Sequence, residues 1–375
     1  MVGSKISKTL LSTLGLLSSG CGSSSDGHLA HGGDLGPYIQ NVAPTSVVVS
    51  WRTGEALDGR VGFGIAEPTE AFVADAALRK VHEVELAGLV EGTTYVYVVT
   101  SGGKPTGDGS FKTAPPPGSE FSFAVYGDTR SDPAAHASVV KAILESDPDF
   151  VLHVGDIVRA GGNLDSWIAE FFTPAADLIR TKAFYPALGN HEYAGDRSAE
   201  NYRAFFALPS ATERWYSFDY GCAHFVCLDT CVPGDYAPGS EQRLWLEADL
   251  EAARESPWTF VFFHHPPYTA SSGHSDDARV QADLVPLFEA GGVDAVFSGH
   301  THAYERYSRR GIVYIVTGGG GAPLHRLAAD RKEPVREAGE SALHHVFVRV
   351  APSAFALEAR RNDGTAIDGI SLERR

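Results

Sequence analysis

The chain is short of the features that define several protein classes. No apolar run approaches the ~20 residues that a membrane-spanning helix needs, so a transmembrane bundle is excluded. Positive charge is scarce: 31 Lys and Arg face 47 Asp and Glu, a net charge of −16 at pH 7. Such a surface repels a polyanion, and no nucleic-acid partner is expected. No repeat of 20–50 residues is visible. The glycine run Gly318–Gly321 lacks the Lys-Ser/Thr and following helix of a phosphate-binding loop and reads as a turn. At roughly 150 residues per domain, 375 residues suggest two domains, or one with a large insertion. With 43% hydrophobic and 21% charged residues, the composition is that of an ordinary globular protein. What is plentiful is histidine, fifteen in all, which puts metal chemistry first among the options.

At the N-terminus, Lys5 and Lys8 precede the apolar segment Leu10–Leu17, and Ser18, Ser19 and Gly20 precede Cys21. Residues 1–20 read as a signal peptide, so the protein is expected to be exported. Small residues before a cysteine resemble the bacterial lipoprotein signal, in which Cys21 would carry the lipid; simple secretion is the other reading. Residues 21–35, rich in Gly and Ser, read as a flexible tether. Cys222, Cys227 and Cys231 then allow one disulfide, Cys227 or Cys222 with Cys231, or three buried thiols.

From 36 to 114 only strand-like runs occur: Ser46–Trp51, Arg60–Gly64, Val81–Leu86 and Thr94–Thr100, separated by turn residues. Short strands at this spacing predict an all-β sandwich. Trp51 and the Leu89–Tyr97 segment are similar to the core tryptophan and tyrosine corner of fibronectin type III domains. Residues 115–120, Pro-Pro-Pro-Gly-Ser-Glu, read as a stiff linker. Beyond it the period changes. Strand 121–126, helix 134–145 and strand 150–154 form a βαβ unit. Apolar strands at 184–188, 223–228, 259–263, 293–297 and 312–316, with helices at 242–253 and 280–289, extend it to a layered α/β domain over 121–375.

Five of these apolar runs end in residues that bind metals: Gly127-Asp128-Thr129-Arg130, Gly155-Asp156, Gly189-Asn190-His191-Glu192, Val261-Phe262-Phe263-His264 and Gly299-His300-Thr301-His302. Strand ends are where layered α/β proteins place their sites. Each motif alone is weak, but five in succession are not an accident of composition. Two carboxylates, an amide oxygen and three imidazoles suit Zn, Mn or Fe. A carboxylate shared between two ions would set them ~3.5–4 Å apart, able to clamp a phosphoryl group and acidify a water.

This set resembles the calcineurin-like metallophosphoesterases. The preceding sandwich and Gly299-His-Thr-His-Ala-Tyr-Glu-Arg306 are similar to the purple acid phosphatase branch in particular. The resemblance implies that Asp128, Asp156 and His302 hold one ion, and that Asp156, Asn190, His264 and His300 hold the other. It also implies hydrolysis of phosphate monoesters of small substrates by in-line attack of a metal-activated hydroxide. His191 would face the phosphate as a catalytic residue, and His274, in the polar loop Thr269–His274, would be a phosphate-contacting histidine. His265 is expected to point away from the site, Glu192 and Glu305 to be framework, and His153 to be a satisfied core histidine.

Two positions depart from the family pattern. Purple members carry a tyrosine three residues after the bridging Asp; here Arg159 stands there, which argues against a purple ferric centre. Other members carry a histidine two residues after the first Asp; here it is Arg130. The first metal site is left with three ligands, its shell to be completed by water or by His136. Arg130 and Arg159 could bind substrate phosphate as bidentate donors or form ion pairs with the ligand carboxylates. Phosphodiesterase or nucleotide pyrophosphatase activity at the same cage is the alternative within enzymes. A non-catalytic envelope binding lipoprotein is the alternative outside them.

Overall fold

The computed structural model of the chain describes residues 34–210, 212–232, 234–328 and 333–374. The expected signal peptide, Cys21 and most of the expected tether lie outside these residues. The described residues fall within one compact unit, His31–Arg375. Among them, no helix is long and apolar enough to cross a membrane.

Five strands make the N-terminal all-β part: β1 (Leu35–Gln40), β2 (Ser46–Gly64), β3 (Ala71–Ala87), β4 (Thr94–Ser101) and β5 (Lys104–Lys112). They pair in the order β1-β2-β4-β5, with β3 also on β2. The strands expected at 46–51 and 60–64 are the two ends of the single strand β2. β3 pairs along both ends, and register shifts around Leu57 mark an irregularity between them. Trp51 is buried, stacked on His82 with centroids 4.5 Å apart, and its indole N–H donates to Ser101 Oγ at 2.8 Å. The Val90 backbone N–H donates to Tyr95 Oη at 3.0 Å, pinning the 89–95 corner.

The remainder is two facing sheets. One has six strands in the order β18-β17-β16-β6-β7-β8. β6 (Phe121–Tyr126), β7 (Phe150–His153) and β8 (Ala183–Pro186) are parallel, and β16 (His344–Ala351), β17 (Ala354–Arg361) and β18 (Ala366–Glu373) continue antiparallel. The other has seven, in the order β15-β13-β14-β12-β11-β10-β9. There β10 (Ala223–Cys227), β11 (Trp258–Phe262), β12 (Ala295–Ser298) and β14 (Ile312–Thr317) are parallel. β9 (Tyr216–Tyr220), β13 (Tyr304–Arg309) and β15 (Arg336–Glu340) are the antiparallel members.

The central parallel strands are buried on both faces, which is why they read as unbroken apolar runs and not as alternating ones. Phe123 of β6 spans the gap to Phe225, Phe260 and Phe297 of the facing sheet at 5.2, 5.5 and 5.9 Å between centroids. Helix Pro133–Ser146 covers one face. Asp132 caps it by accepting from the Ala134 and Ala135 N–H groups, Pro133 opens it, and Val139, Val140, Ala142 and Ile143 are its buried side. The single helix expected over 280–289 is two, Ala278–Asp283 and Val285–Gly291. Pro286 lacks the N–H that a continuous helix would need there.

The all-β part shares the core of the layered part. The Tyr38 hydroxyl donates to Phe205 O at 2.8 Å, the Val42 N–H to Tyr185 Oη at 2.9 Å, and the Tyr97 hydroxyl to Arg180 O at 3.0 Å. Cys222, Cys227 and Cys231 are all free thiols, so of the two readings left open by their spacing, the unbonded one holds.

Candidate metal centre

The C-terminal ends of β6, β7, β8, β11 and β12 meet at one end of the two-sheet stack, and each delivers one of the five motifs. Asp128, Asp156 and His300 take positive φ, 58°, 56° and 66°. An aspartate or histidine in this left-handed region costs energy that the surroundings must repay, a common property of functional positions. At two of the motifs the glycine permits close approach. A Cβ on Gly189 would lie 2.2 Å from Asp156 N, and one on Gly299 would lie 2.5 Å from Asp128 Oδ2.

The donor atoms converge in two groups. His264 Nε2 is 3.1 Å from His300 Nδ1, 3.2 Å from Asn190 Oδ1 and 3.3 Å from Asp156 Oδ1. His302 Nε2 is 3.4 Å from Asp128 Oδ1. One donor atom each of Asp128, Asp156 and His264 lie within 4.8 Å of one another. The rings are held from behind: His264 Nδ1–H donates to Val154 O at 2.9 Å and His302 Nδ1–H to Pro323 O at 2.7 Å. Both therefore turn Nε2 to the crevice, the arrangement by which backbone carbonyls orient metal-ligating imidazoles. The carboxylates are aimed by the chain too. His300 N–H donates to Asp128 Oδ2 at 2.9 Å and His191 N–H to Asp156 Oδ1 at 3.0 Å.

Glu192 and Glu305 are framework. Buried Glu192 accepts the N–H groups of Asp156, Ile157, Val158 and Gly189 at 2.7–3.3 Å, tying the β7 and β8 ends together. Glu305 holds the 269–270 loop through Thr269 Oγ1 at 2.6 Å and Ala270 N at 2.8 Å. His153 is a core histidine with both ring nitrogens engaged, by Thr129 Oγ1 and the Gly155 N–H. His136 is excluded as a further ligand. Its Nδ1 donates to Glu170 O at 2.8 Å and its Nε2 accepts from the Tyr126 hydroxyl at 3.3 Å, inside the core.

His191 stands on the rim of the crevice with Nδ1–H donating to Arg159 O at 2.7 Å and Nε2 3.8 Å from Asp156 Oδ2. His274 lies over His300, ring centroids 3.7 Å apart. The Arg130 guanidinium reaches Asp156 Oδ2 and His302 Nε2, each at 3.4 Å. Arg159 diverges from it: its side chain is exposed, while its carbonyl holds His191.

The calcineurin-like phosphoesterase family matches residues 121–304. Purple acid phosphatase 22 of Arabidopsis thaliana is 30% identical over 295 residues, 72% of this chain and 66% of that protein. Probable purple acid phosphatase 20 of the same plant is 28% identical over 375 residues, 90% of this chain and 85% of the relative. The chain belongs to the calcineurin-like phosphoesterases, on their purple acid phosphatase-like branch. The solved structure of the purple acid phosphatase PPD1 from yellow lupin (Lupinus luteus) seeds shares the fold, with a TM-score of 0.79 over 92% of this chain and 75% of that one, at 21% identity.

As a member of this family the chain is a hydrolase, a metal-dependent phosphoesterase of a family that works through a dinuclear metal centre. The donor set fits such a centre. Burial pushes Asp156 up, but His264 and the His191 N–H outweigh it and hold the carboxyl well below its usual range. Burial and the neighbouring His264 push His300 down, and burial and His264 push His265 down to about 3. Burial opposes charge on His264 and His302, but Asp156 raises the first to about 9 and Asp128 raises the second. Metal ligands need ionised carboxylate and neutral imidazole, so an ion binding at these two imidazoles would compete with a proton. Burial and Asp156 raise Glu192 to about 7, against the backbone N–H groups, which favour its ionised form.

Two histidines near the centre were not anticipated. His265 does not point away: its ring lies 4.6 Å from that of His300, and a nitrogen of each of His264, His265 and His300 falls within 4.8 Å of the others. Alternation of neighbouring side chains holds only within a strand, and β11 ends at Phe262. His325 stacks on His302 from a loop beyond the glycine run, where no pattern in the sequence marks it.

Proposed function

We propose that the chain is an exported phosphomonoesterase in which Asp128, Asp156 and His302 hold one metal ion, Asp156, Asn190, His264 and His300 hold the other, and Asp156 is shared. The observation that carries this reading is the meeting of all six donors at the ends of five strands, with His300 Nδ1 and Asn190 Oδ1 at 3.1 and 3.2 Å from His264 Nε2. Two ions so held supply a Lewis-acid clamp on the phosphoryl oxygens and an acidified water. The chain's residues do the rest. His191, its Nδ1–H pinned, keeps Nε2 available to hold a proton against a phosphoryl oxygen or to pass one to the leaving alkoxide. His274 lines the same wall. Arg130, one edge on Asp156, offers its other N–H groups to a phosphate oxygen, and Arg159 offers a second guanidinium at the rim. The names of the relatives, acid phosphatases, favour the monoester. The export signal at 1–20 and the lipid site at Cys21 are read from the sequence, and the all-β part is read as a fibronectin type III-like domain covering 36–114.

The test strips the protein of metal, reloads it with Zn, Mn or Fe, and compares a nitrophenyl monoester with a bis-nitrophenyl diester. Monoester turnover that Asp156→Asn lowers by about 10³-fold is expected, about 4 kcal/mol of lost transition-state stabilisation. Preference for the diester would replace the monoesterase reading. Two ions bound without turnover of either ester would point to a binding protein.

A further inference from the structure

We propose that His325 is a positioning residue that sets the orientation of His302, and through it the strength of the metal site that His302 and Asp128 form. This rests on the reading of His302 as a ligand. His325 grips His302 at three points. The His302 N–H donates to His325 Nδ1 at 3.1 Å, the His325 N–H donates back to His302 O at 2.9 Å, and the two imidazoles stack with centroids 4.0 Å apart and planes 14° from parallel. With Nδ1–H of His302 on Pro323 O, that ring has no rotational freedom left. The same short segment, 323–325, supplies every one of these contacts.

The segment is itself held. Ser271 and Leu327 form a β-bridge, the Ser272 N–H donates to Arg326 O at 2.8 Å, and the Ala328 N–H donates to Ala270 O at 2.8 Å. The loop that carries His274 is thus zipped to the loop that carries His325, and the two rings meet edge to face at 5.2 Å. Gly273 lies between them. A Cβ there would fall 2.1 Å from His325 Nδ1, so the stacked position of His325 requires a glycine at 273.

His325 is not a ligand. Its Nδ1 is taken up by the His302 N–H and its ring lies flat against His302, so it braces that imidazole from the side. Its importance comes from what the first site lacks. Arginine occupies both positions where relatives supply a further ligand, and His136 is committed to the core. A site with three protein ligands depends on each being held at the right angle, and loss of an orienting partner typically costs 10–100-fold in metal affinity.

The test is a Zn²⁺ titration of the metal-free full chain by equilibrium dialysis, for wild type, His325→Phe and Gly273→Ala. Phenylalanine keeps the stack and loses the acceptor; alanine at 273 leaves His325 chemically intact and displaces it. Both variants are expected to bind one ion as wild type does and the other roughly 10–100-fold more weakly, with an unchanged metal-free Tm. Wild-type affinity for both ions in both variants would overturn the proposal while leaving the dinuclear reading in place. Equal weakening of both ions with a lowered Tm would overturn it in favour of a general structural role. Failure of the wild type to bind two ions would overturn the dinuclear reading itself.

Discussion

On the β11 side of the crevice, His264 Nε2 has three donor atoms around it: His300 Nδ1 at 3.1 Å, Asn190 Oδ1 at 3.2 Å and Asp156 Oδ1 at 3.3 Å. On the β6 side, Asp128 and His302 meet at 3.4 Å, and a cation, Arg130, stands 3.4 Å from both Asp156 and His302. The first cluster gathers three donors around one imidazole, itself held by Val154 O, with Asp156 aimed by the His191 N–H. The second depends on its surroundings: on the His300 N–H to aim Asp128, and on Pro323 and His325 to hold His302. Two halves of one site, built from the same residue types, thus differ in how much of their geometry the ligands carry and how much the neighbouring loops carry. Under the proposed function, the half with more donors would hold its ion more tightly, and the other, with Arg130 beside it, would receive the phosphate.

The sharpest way to break this comparison is to delete one imidazole from each half. His264→Ala removes the atom nearest to all the others and is expected to lose one ion outright and about 10³-fold in kcat. His302→Ala should lose the weaker ion first, with activity partly restored by raising the Zn²⁺ or Mn²⁺ concentration. Equal loss without metal rescue in both would mean that the halves are not distinct. Atomic absorption after dialysis, together with steady-state kinetics, reads both.

A smaller effect is expected from the arginines. Arg130→Ala should raise KM about tenfold, roughly 1.4 kcal/mol for a charge-assisted contact. It should also weaken product phosphate as an inhibitor. Arg159→Ala, which removes only an exposed guanidinium, should change KM less than threefold. If Arg130→Ala instead strengthened metal binding and left KM alone, its role would be the ion pair with Asp156.

The smallest effect lies outside the crevice and separates folding from catalysis. His224 sits between Asp219 Oδ1 at 2.8 Å and Asp249 Oδ2 at 3.0 Å. Burial opposes its charge, but the two carboxylates outweigh it and raise its pKa to about 9. Its stabilisation, on the order of 1–2 kcal/mol, is fully present below its unfolded pKa of about 6.5. It is lost as pH rises through about 9. His224→Gln should flatten denaturant-derived stability between those values and leave the metal affinities of both halves unchanged.

Much of this was legible because parallel strands buried on both faces write themselves as apolar runs, and because chemistry at their ends interrupts those runs. Asp128, Asp156, Asn190, His264, His300 and His302 could be named from that interruption, and the helix over 134–145 from its period. The continuity of β2 was hidden, since a strand with an irregular, polar middle looks like two strands with a turn. The break at Leu284 was missed although Pro286 marks it. β16–β18, which complete the six-stranded sheet, were not assigned at all.

The sequence by itself determined which residue types stand at which strand ends, and with them the family and the donor chemistry. Tertiary structure alone decided how those donors are held. His136, near in sequence to Asp128, went to the core, while His325, 23 residues beyond His302, came to lie on its ring. His265, adjacent to a ligand, turned toward the site once its strand had ended. The reason is physical: a ligand is marked by local pattern, but the groups that orient it are chosen by whichever backbone carbonyls and rings the packing of two sheets brings within about 3–4 Å.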